Sequence, residues 1–470
     1  MLRKLIRTIT TPKSLFAEET QFRGVTKRNR KQQLIIGLDF GTAFTKVVIG
    51  ESRQAYGVHF SKFGDEQNPY LLPAAMAVDS AGFCSLDLES PKSRRVGDLK
   101  MRLLEGDYSL ESKAESVAYL ALVLQFSRKW LFSKQKRIYG QNYLDWNLNV
   151  GLPTHNYHDA KLVQAYRDIV HCAWLVSVTT SSINLEFAKH VLEGKEDAST
   201  RQDRLIHPDS IGLFPEFVAQ VTGYVRSPQR QEDLHALMDV GAGTVDVTVF
   251  NVFHRDDDDF FPIFAKSVKN FGVFFHTKFR LEKLQYKGRW APNAQDRALT
   301  DREFGKKLRV SQQQLADVDR PFRKKVSNQL NEQLRYTKDK RYPKSRRWEE
   351  GVPIFLCGGG ANVELYANLI ESLEEKGKPF KIVRQGLPKP ERLKAGRLRA
   401  ENFDRLSVAY GLSFDAFDIG EIEKAEEIED ITDDPGLPGR TGGTTFCSIC
   451  HGSGGAMAHG CYKCGGTGLI

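Results

Sequence analysis

The sequence predicts an α/β protein built from two related lobes, and three features support that prediction. Two segments about 200 residues apart, 34–50 and 237–250, share one pattern, in which a glycine-containing turn joins two buried strands. A third buried strand, 353–357, runs into three successive glycines. Other segments, such as 159–176, place their apolar residues at helical spacing. Recurrence of one unit at a fixed separation indicates two related halves.

The composition is that of a globular protein with about three packing units. The chain has 470 residues, of which 40% are hydrophobic and 27% charged, and this balance excludes a disordered or fibrous protein. No apolar run approaches the ~18 residues that a membrane-spanning helix needs. Because the N-terminus also lacks the apolar region and cleavage site of a secretory signal, we expect a cytoplasmic protein.

The net charge of +9 is distributed unevenly. Residues 1–33 carry nine basic and two acidic side chains, whereas 278–348 carry 21 basic and 8 acidic ones and 418–434 carry nine acids and one lysine. Because most of the excess lies in an N-terminal arm, the charge does not favour nucleic acid as a partner. The arm itself predicts either a solubilising segment or a peripheral contact with an acidic membrane surface.

Composition and patterning divide the chain into five consecutive segments. They are a basic N-terminal arm (1–33), a first lobe (34–232), a second lobe (233–415) with a basic helical insert (278–350), an acidic and then Gly/Pro-rich linker (416–445), and a cysteine-rich segment (446–470).

The two glycine hairpins fit the binding of phosphate groups. Phosphate needs backbone N–H donors at close range, and glycine lets the chain approach that closely. Asp39 and Asp239 end the first strands of the hairpins, where carboxylates can hold the waters of a bound Mg²⁺. Thr42 and Thr244 can donate hydroxyl hydrogen bonds to phosphate. A single hairpin of this kind is also an ordinary turn, but two copies and a third glycine turn favour a phosphate site.

These three turns resemble the motifs of one ATPase superfamily. The segments 39-DFGTAFTK-46, 239-DVGAGTVD-246 and 356-LCGGGANVE-364 are similar, in that order, to the phosphate-1, phosphate-2 and adenosine motifs of actin, the heat-shock chaperones and the sugar kinases. The phosphate-2 segment is most similar to that of DnaK-type chaperones, whereas Lys46 matches a lysine in the phosphate-1 loop of actin.

Three further segments extend the resemblance over about residues 34–415. The segment 98-DLKMRLL-104 is similar to the chaperone segment that carries the catalytic lysine. Pro215-Glu216 with Ala219 is similar to the Glu-containing connecting helix of the chaperones, and 407-SVAYGLSF-414 is similar to their last connecting helix. Two details depart from the chaperone pattern: Lys100 is followed by Met-Arg-Leu where the chaperones have Arg-Leu, and Pro215 precedes Glu216 where they have Glu before Pro. For Lys100 and Glu216 the alternative is therefore a surface charge on a helix.

The resemblance implies a two-lobed actin-like ATPase fold with duplicated ribonuclease H-like lobes, ATP or ADP, and Mg²⁺. It implies that Asp39 and Asp239 organise Mg²⁺ and the attacking water, that Lys100 contacts the γ-phosphate, and that Glu216 positions water. The implied nucleotide contacts are Gly41, Thr42, Lys46, Gly241, Gly243, Thr244, Asp246, Gly358, Gly359 and Gly360.

The basic insert corresponds in position to the adenine-side subdomain of this superfamily. Glu332 and Arg335 lie there at helical spacing, which predicts either a clamp on the base and ribose or a solvated helix face.

The C-terminal cysteines predict a structural Zn²⁺ site. Cys447, Cys450, Cys461 and Cys464 form two copies of C-x-x-C-x-G-x-G, and four thiolates make a closed tetrahedral site. His451 and His459 are alternative ligands. The repeats resemble the zinc-finger region of DnaJ-type co-chaperones, which implies a module that contacts a protein partner or an unfolded client.

Three functional hypotheses fit these motifs. The leading hypothesis is a nucleotide-switched, chaperone-like ATPase, with a co-chaperone or nucleotide-exchange protein as a further partner. The second is an actin-like filament-forming or scaffolding ATPase, which Lys46 favours. The third is a small-molecule kinase, for which no dedicated general base is evident. The sequence does not predict the oligomeric state.

Overall fold

A computed structural model describes most of the chain between residues 31 and 423. The described residues are 31–60, 63–65, 68–139, 143–153, 157, 159–194, 206–255, 258–293, 296, 298–374, 380–419 and 421–423. The cysteine-rich segment, most of the N-terminal arm and most of the linker lie outside them, and so does the predicted Zn²⁺ site.

The first lobe contains nine strands and five α-helices in its described part, together with a short 3-10 helix (Pro208–Ser210). The strands are β1 (Lys31–Phe40), β2 (Phe44–Gly50), β3 (Ala55–Gly57), β4 (Leu72–Pro73), β5 (Met76–Val78), β6 (Cys84–Ser85), β7 (Arg94–Val96), β8 (Tyr143–Leu152) and β9 (Ile211–Pro215). The helices are α1 (Leu99–Leu104), α2 (Leu110–Tyr139), α3 (Ala160–Thr179), α4 (Leu185–Leu192) and α5 (Glu216–Val225).

The second lobe follows, and its described part ends in a short strand. The strands are β10 (Asp233–Val240), β11 (Val245–Arg255), β12 (Asp258–Lys269), β13 (Val352–Cys357), β14 (Ile382–Gln385), β15 (Leu393–Lys394) and β16 (Glu421–Glu423). The helices are α6 (Val273–Lys283), α7 (Asp301–Leu308), α8 (Gln312–Tyr336), α9 (Arg347–Glu350), α10 (Glu364–Glu374), α11 (Ser407–Gly411) and α12 (Ala416–Ile419).

The central sheets of the two lobes share one strand order. In the first, β1 pairs antiparallel with β2 and parallel with β8, and the path is β15-β3-β2-β1-β8-β9, with β4 also paired to β2. In the second, β10 pairs antiparallel with β11 and parallel with β13, and the path is β14-β13-β10-β11-β12-β16. Equivalent strands therefore occupy equivalent places, which is the arrangement expected of two related halves.

Each lobe has its own hydrophobic core, and a third cluster of buried residues joins the two lobes. Ile36 of β1, for example, is fully buried in the core of the first lobe. The third cluster contains residues from both central sheets, such as Val48 and Leu237, together with Phe217 of α5 and Tyr410 of α11. It therefore connects the lobes behind the cleft that separates their hairpins.

Two helices cross at this junction with their backbones in contact. A Cβ on Gly411 of α11 would lie 1.8 Å from the carbonyl oxygen of Ala219 in α5, so only glycine fits there. The crossing holds the N-terminus of α5, and with it Glu216, at the base of the cleft.

Candidate functional site

A cavity of about 400 Å³ lies between the lobes and is lined by both glycine hairpins. This volume is within the range of small-molecule sites, about 300–1,000 Å³. Of the residues predicted from the sequence, the cavity is lined by Asp39, Gly41, Thr42, Lys46, Lys100, Glu216, Asp239, Gly241, Gly243, Thr244, Asp246, Gly358 and Gly359. The fold therefore brings together side chains from widely separated parts of the sequence.

The first hairpin, between β1 and β2, carries an internal ion pair. Asp39 and Lys46 are cross-strand partners, and the Lys46 Nζ donates a hydrogen bond of 2.8 Å to Asp39 Oδ2. Asp39 is buried, and the lysine is only slightly exposed. The turn is tight, because a Cβ on Gly41 would lie 2.4 Å from the carbonyl oxygen of Phe44.

The second hairpin, between β10 and β11, has an acid where the first has a lysine. Asp239 and Asp246 are cross-strand partners. Loss of solvent raises the pKa of Asp239 to about 6, with a further contribution from Glu216. Loss of solvent and the neighbouring Asp239 raise the pKa of Asp246 to about 7. The buried Oδ1 of Asp246 has no hydrogen-bond partner among the described residues.

Lys100 and Glu216 meet at the base of the cavity. Lys100 lies in α1 and is buried, and its Nζ donates a hydrogen bond of 2.5 Å to Glu216 Oε1 at the start of α5. Burial alone would lower the pKa of Lys100, but Glu216, together with Tyr166 and Asp39, raises it. The pair is therefore an internal feature of the cleft and not two charges on exposed helix faces.

The third glycine turn follows β13 and packs against the second hairpin. Gly358 has a φ of +87°, and a Cβ there would lie 2.1 Å from Asp239 Oδ1, so both conformation and space require glycine. The amide of Gly360 donates a hydrogen bond of 2.9 Å to the carbonyl of Val240. Gly360 packs behind the turn and does not line the cavity.

Several cavity residues were not predicted from the sequence. Trp290, Asn293 and Thr300 line the cavity from the stretch between α6 and α7, and Asp404 and Arg405 line it from the turn before α11. The Arg405 guanidinium lies close to Gly359, since a Cβ there would be 3.4 Å from its Cζ. No motif marks these residues; Trp290, Asn293 and Thr300 lie within the predicted basic insert, and Asp404 and Arg405 lie just before the segment similar to the last connecting helix.

Glu332 and Arg335 are not brought to the cavity. Both are exposed on α8, whose apolar stripe, including Val326, Leu330 and Leu334, packs into the core of the second lobe. Of the two alternatives given for these residues, the structure therefore favours the solvated helix face over a clamp on the base and ribose. This spacing identifies a shared helix face, but the packing of α8 determines which way that face points.

Among the described residues there is neither a cluster of candidate metal ligands nor a helix that could span a membrane. None of their clusters of His, Cys, Asp or Glu has three or more members arranged to hold a metal ion. No helix in the described part of the chain is long and apolar enough to cross a membrane.

Comparisons with known proteins give only distant likenesses. No family model matches the chain, and the search of the curated proteins found no match. Crystal structures of MreB5 of Spiroplasma citri bound to ADP and to AMPPNP share 14% sequence identity with the chain. Each comparison covers 80% of this chain and 94% of the other, with TM-scores of 0.44 and 0.42 respectively.

Proposed function

We propose that this protein is an actin-like, Mg²⁺-dependent ATPase whose two lobes respond to the bound nucleotide. One observation carries the proposal: two glycine hairpins of equivalent topology, a glycine turn and a buried Lys–Glu pair line the same cavity. Backbone N–H groups at glycine turns suit phosphate, and the opposed hairpins can hold one polyphosphate from both sides.

The first hairpin supplies an ammonium group and a hydroxyl group that can contact the phosphate chain. Lys46 is held by Asp39 at the cavity wall, where its ammonium group can contact a phosphate oxygen. Thr42 and Thr244 line the same cavity and supply hydroxyl donors. The roles of these side chains are therefore to bind and orient the phosphates.

The acids of the second hairpin fit a hydrated Mg²⁺. This ion keeps several waters and is usually held by one or two carboxylates together with substrate phosphates. Asp239 and the Oδ1 of Asp246, which no described residue hydrogen-bonds, supply acceptors of that kind. When bound, Mg²⁺ neutralises charge on the phosphates, and Asp39 and Asp239 orient its waters.

Lys100 and Glu216 are placed to act on the terminal phosphate and the attacking water. Phosphoryl transfer to water depends mainly on position and charge neutralisation. The Lys100 ammonium can stabilise charge on the phosphate, while Glu216 can accept a hydrogen bond from water and fix its orientation. Their mutual hydrogen bond holds both groups before nucleotide enters.

Two further cavity residues suit a nucleobase. Trp290 and Arg405 both line the cavity and provide flat surfaces on which a base can stack. We therefore assign contacts with the base to these two side chains and contacts with the phosphates to the hairpins.

The first test is nucleotide binding and turnover by the full chain. Calorimetry should detect Mg-ATP and Mg-ADP binding, and phosphate release should require Mg²⁺. Glu216→Gln should retain binding and lose most turnover, while Glu332→Gln on the exposed face of α8 is the matched control and should behave as wild type. Absence of nucleotide binding by the folded wild-type chain would reject the proposal.

We propose two alternative roles for the ATPase, and each is favoured by a different ion pair in the cavity. The Asp39–Lys46 pair, which resembles actin, favours nucleotide-dependent self-assembly, and ATP-dependent sedimentation tests it. The Lys100–Glu216 pair, which resembles the chaperones, favours nucleotide-dependent engagement of a protein client. ATP-dependent capture of unfolded protein that is lost on deleting residues 435–470 tests the second output.

The cysteine-rich segment is proposed to bind one structural Zn²⁺ and to serve as the partner-binding module. Metal analysis of the full chain should find one Zn²⁺ per protein, and replacement of Cys447 and Cys461 by Ser should remove it. Retention of zinc by that variant would reject the assignment of these cysteines.

A further inference from the structure

A second cavity, of about 620 Å³, lies between α6 and α8 on the second lobe. Four aromatic side chains line it, namely Phe271, Phe275, Phe279 and Phe322. We call this the aromatic groove. Phe322 contacts both Phe271 and Phe279, with ring centroids 5.6 and 5.3 Å apart.

The rim of the aromatic groove is mainly basic. Lys278 and Lys325 line it and are exposed, whereas Glu282 is the acid that lines it. Lys324 is exposed beside Lys325 on α8. An occupant of this groove would therefore combine apolar side chains with negative charge.

The geometry points to residues 424–434 of the same chain as the occupant of the aromatic groove. This segment, which lies outside the described residues, has six acids and one lysine, together with Ala425, Ile428 and Ile431. Its composition therefore complements both the aromatic floor and the basic rim.

The direction of β16 supports this assignment. β16 pairs parallel with β12, with Phe260 opposite Glu421 and Pro262 opposite Glu423, so the chain leaves β16 in the direction in which β12 runs. β12 leads to Asn270, which lines the aromatic groove. The eight residues from Pro262 to Asn270 span on the order of 26 Å when extended, and eight residues after Glu423 reach Ile431.

The aromatic groove is also connected to the second hairpin. The amides of Gly272, Val273 and Phe274 donate hydrogen bonds of 3.1, 3.1 and 2.8 Å to carbonyls of the 241–243 turn. A segment packed against Phe271 and Phe275 therefore touches the chain that supports a phosphate-binding loop. This coupling to nucleotide rests on the proposed function, whereas the docking itself does not.

Photo-crosslinking of the full chain without nucleotide tests the docking. Benzoylphenylalanine in place of Phe275 should crosslink within the same chain to residues 424–434, as mapped by mass spectrometry. The same substitution at Phe83, an exposed phenylalanine in the first lobe, is the control and should not reach this segment. Crosslinks only elsewhere, or a crosslinked dimer in place of the internal product, would overturn the proposal.

Charge reversal provides a second arm. Lys278→Glu with Lys325→Glu should lower the yield of the internal crosslink by about fivefold or more, and Glu426→Lys with Glu427→Lys should restore it. A crosslink yield that neither pair of substitutions changes would overturn docking by charge complementarity.

Hydrogen–deuterium exchange avoids any substitution in the groove. In the full chain, Glu426→Lys with Glu427→Lys should speed exchange across 270–282; unchanged rates would contradict the docking. Nucleotide binding is measured separately by calorimetry, so failure of the ATPase proposal is distinguishable from failure of the docking proposal.

Discussion

The two hairpins at the centre of the molecule share a backbone plan and differ in charge. In each, an aspartate at the end of the first strand lies opposite the residue seven positions later. That residue is Lys46 in the first hairpin and Asp246 in the second. The first hairpin is therefore internally neutralised, whereas the second places two acids side by side.

This difference in charge indicates that the two hairpins have different roles although they share one backbone structure. The Asp39–Lys46 pair can be buried without an added ion, because each charge has a partner. Asp239 and Asp246 form no ion pair with any cation among the described residues, and burial, as the main cause, raises the pKa values of both. A cation beside the second hairpin would favour their ionised forms.

The largest expected effect comes from removing the acids at the two strand ends. Asp239→Asn and Asp39→Asn should each lower ATP turnover by about 10²-fold or more, because each removes a charge that orients the metal waters. Only Asp239→Asn is expected to weaken the Mg²⁺ dependence of nucleotide binding strongly. Phosphate release and Mg²⁺ titrations measure the two effects. Unchanged turnover in both variants would contradict the assignment.

The second-largest expected effect comes from removing the lysine of the first hairpin, which leaves that hairpin with a net negative charge. Lys46→Met leaves Asp39 without its cation and removes a contact to phosphate, so ATP affinity should fall about tenfold, or about 1.4 kcal/mol. Calorimetry with Mg-ATP measures this. Lys113→Met, which changes a lysine outside the cavity, is the control and should leave affinity unchanged. Equal affinities for all three proteins would show that the ion pair has no role in binding.

The pH dependence separates the second hairpin from the first. Raised pKa values stabilise the protein at low pH, and this stabilisation is lost as the pH rises through about 6 to 7, where Asp239 and Asp246 ionise. The nucleotide-free protein should therefore melt at a lower temperature at pH 8 than at pH 6, and Asp246→Asn should reduce the difference. Mg-nucleotide affinity should change in the opposite direction, falling below pH 7. An Asp246→Asn profile identical to wild type would contradict this origin.

The sequence predicts those residues of the site that lie in short, recognisable motifs. The hairpins, the glycine turn, Lys100 and Glu216 lie in segments with a recognisable motif, and the fold places them around one cavity. Trp290 and Arg405 could not be predicted in this way, because their position depends on how separate segments pack. Glu332 and Arg335 show the converse: helical spacing groups them, but burial of Leu330 and Leu334 turns them toward solvent.

The last expected effect, on stability alone, compares the turns of the two hairpins. A Cβ on Gly41 would lie 2.4 Å from the carbonyl oxygen of Phe44, whereas a Cβ on Gly243 would meet nothing within 4 Å. Gly41→Ala should therefore destabilise the protein by about 1–3 kcal/mol through overpacking, and Gly243→Ala should leave stability within the error of a melting experiment. Denaturant unfolding of the two variants measures the difference. Equal stabilities would mean that the first turn can relax as freely as the second, and that the hairpins differ in charge alone.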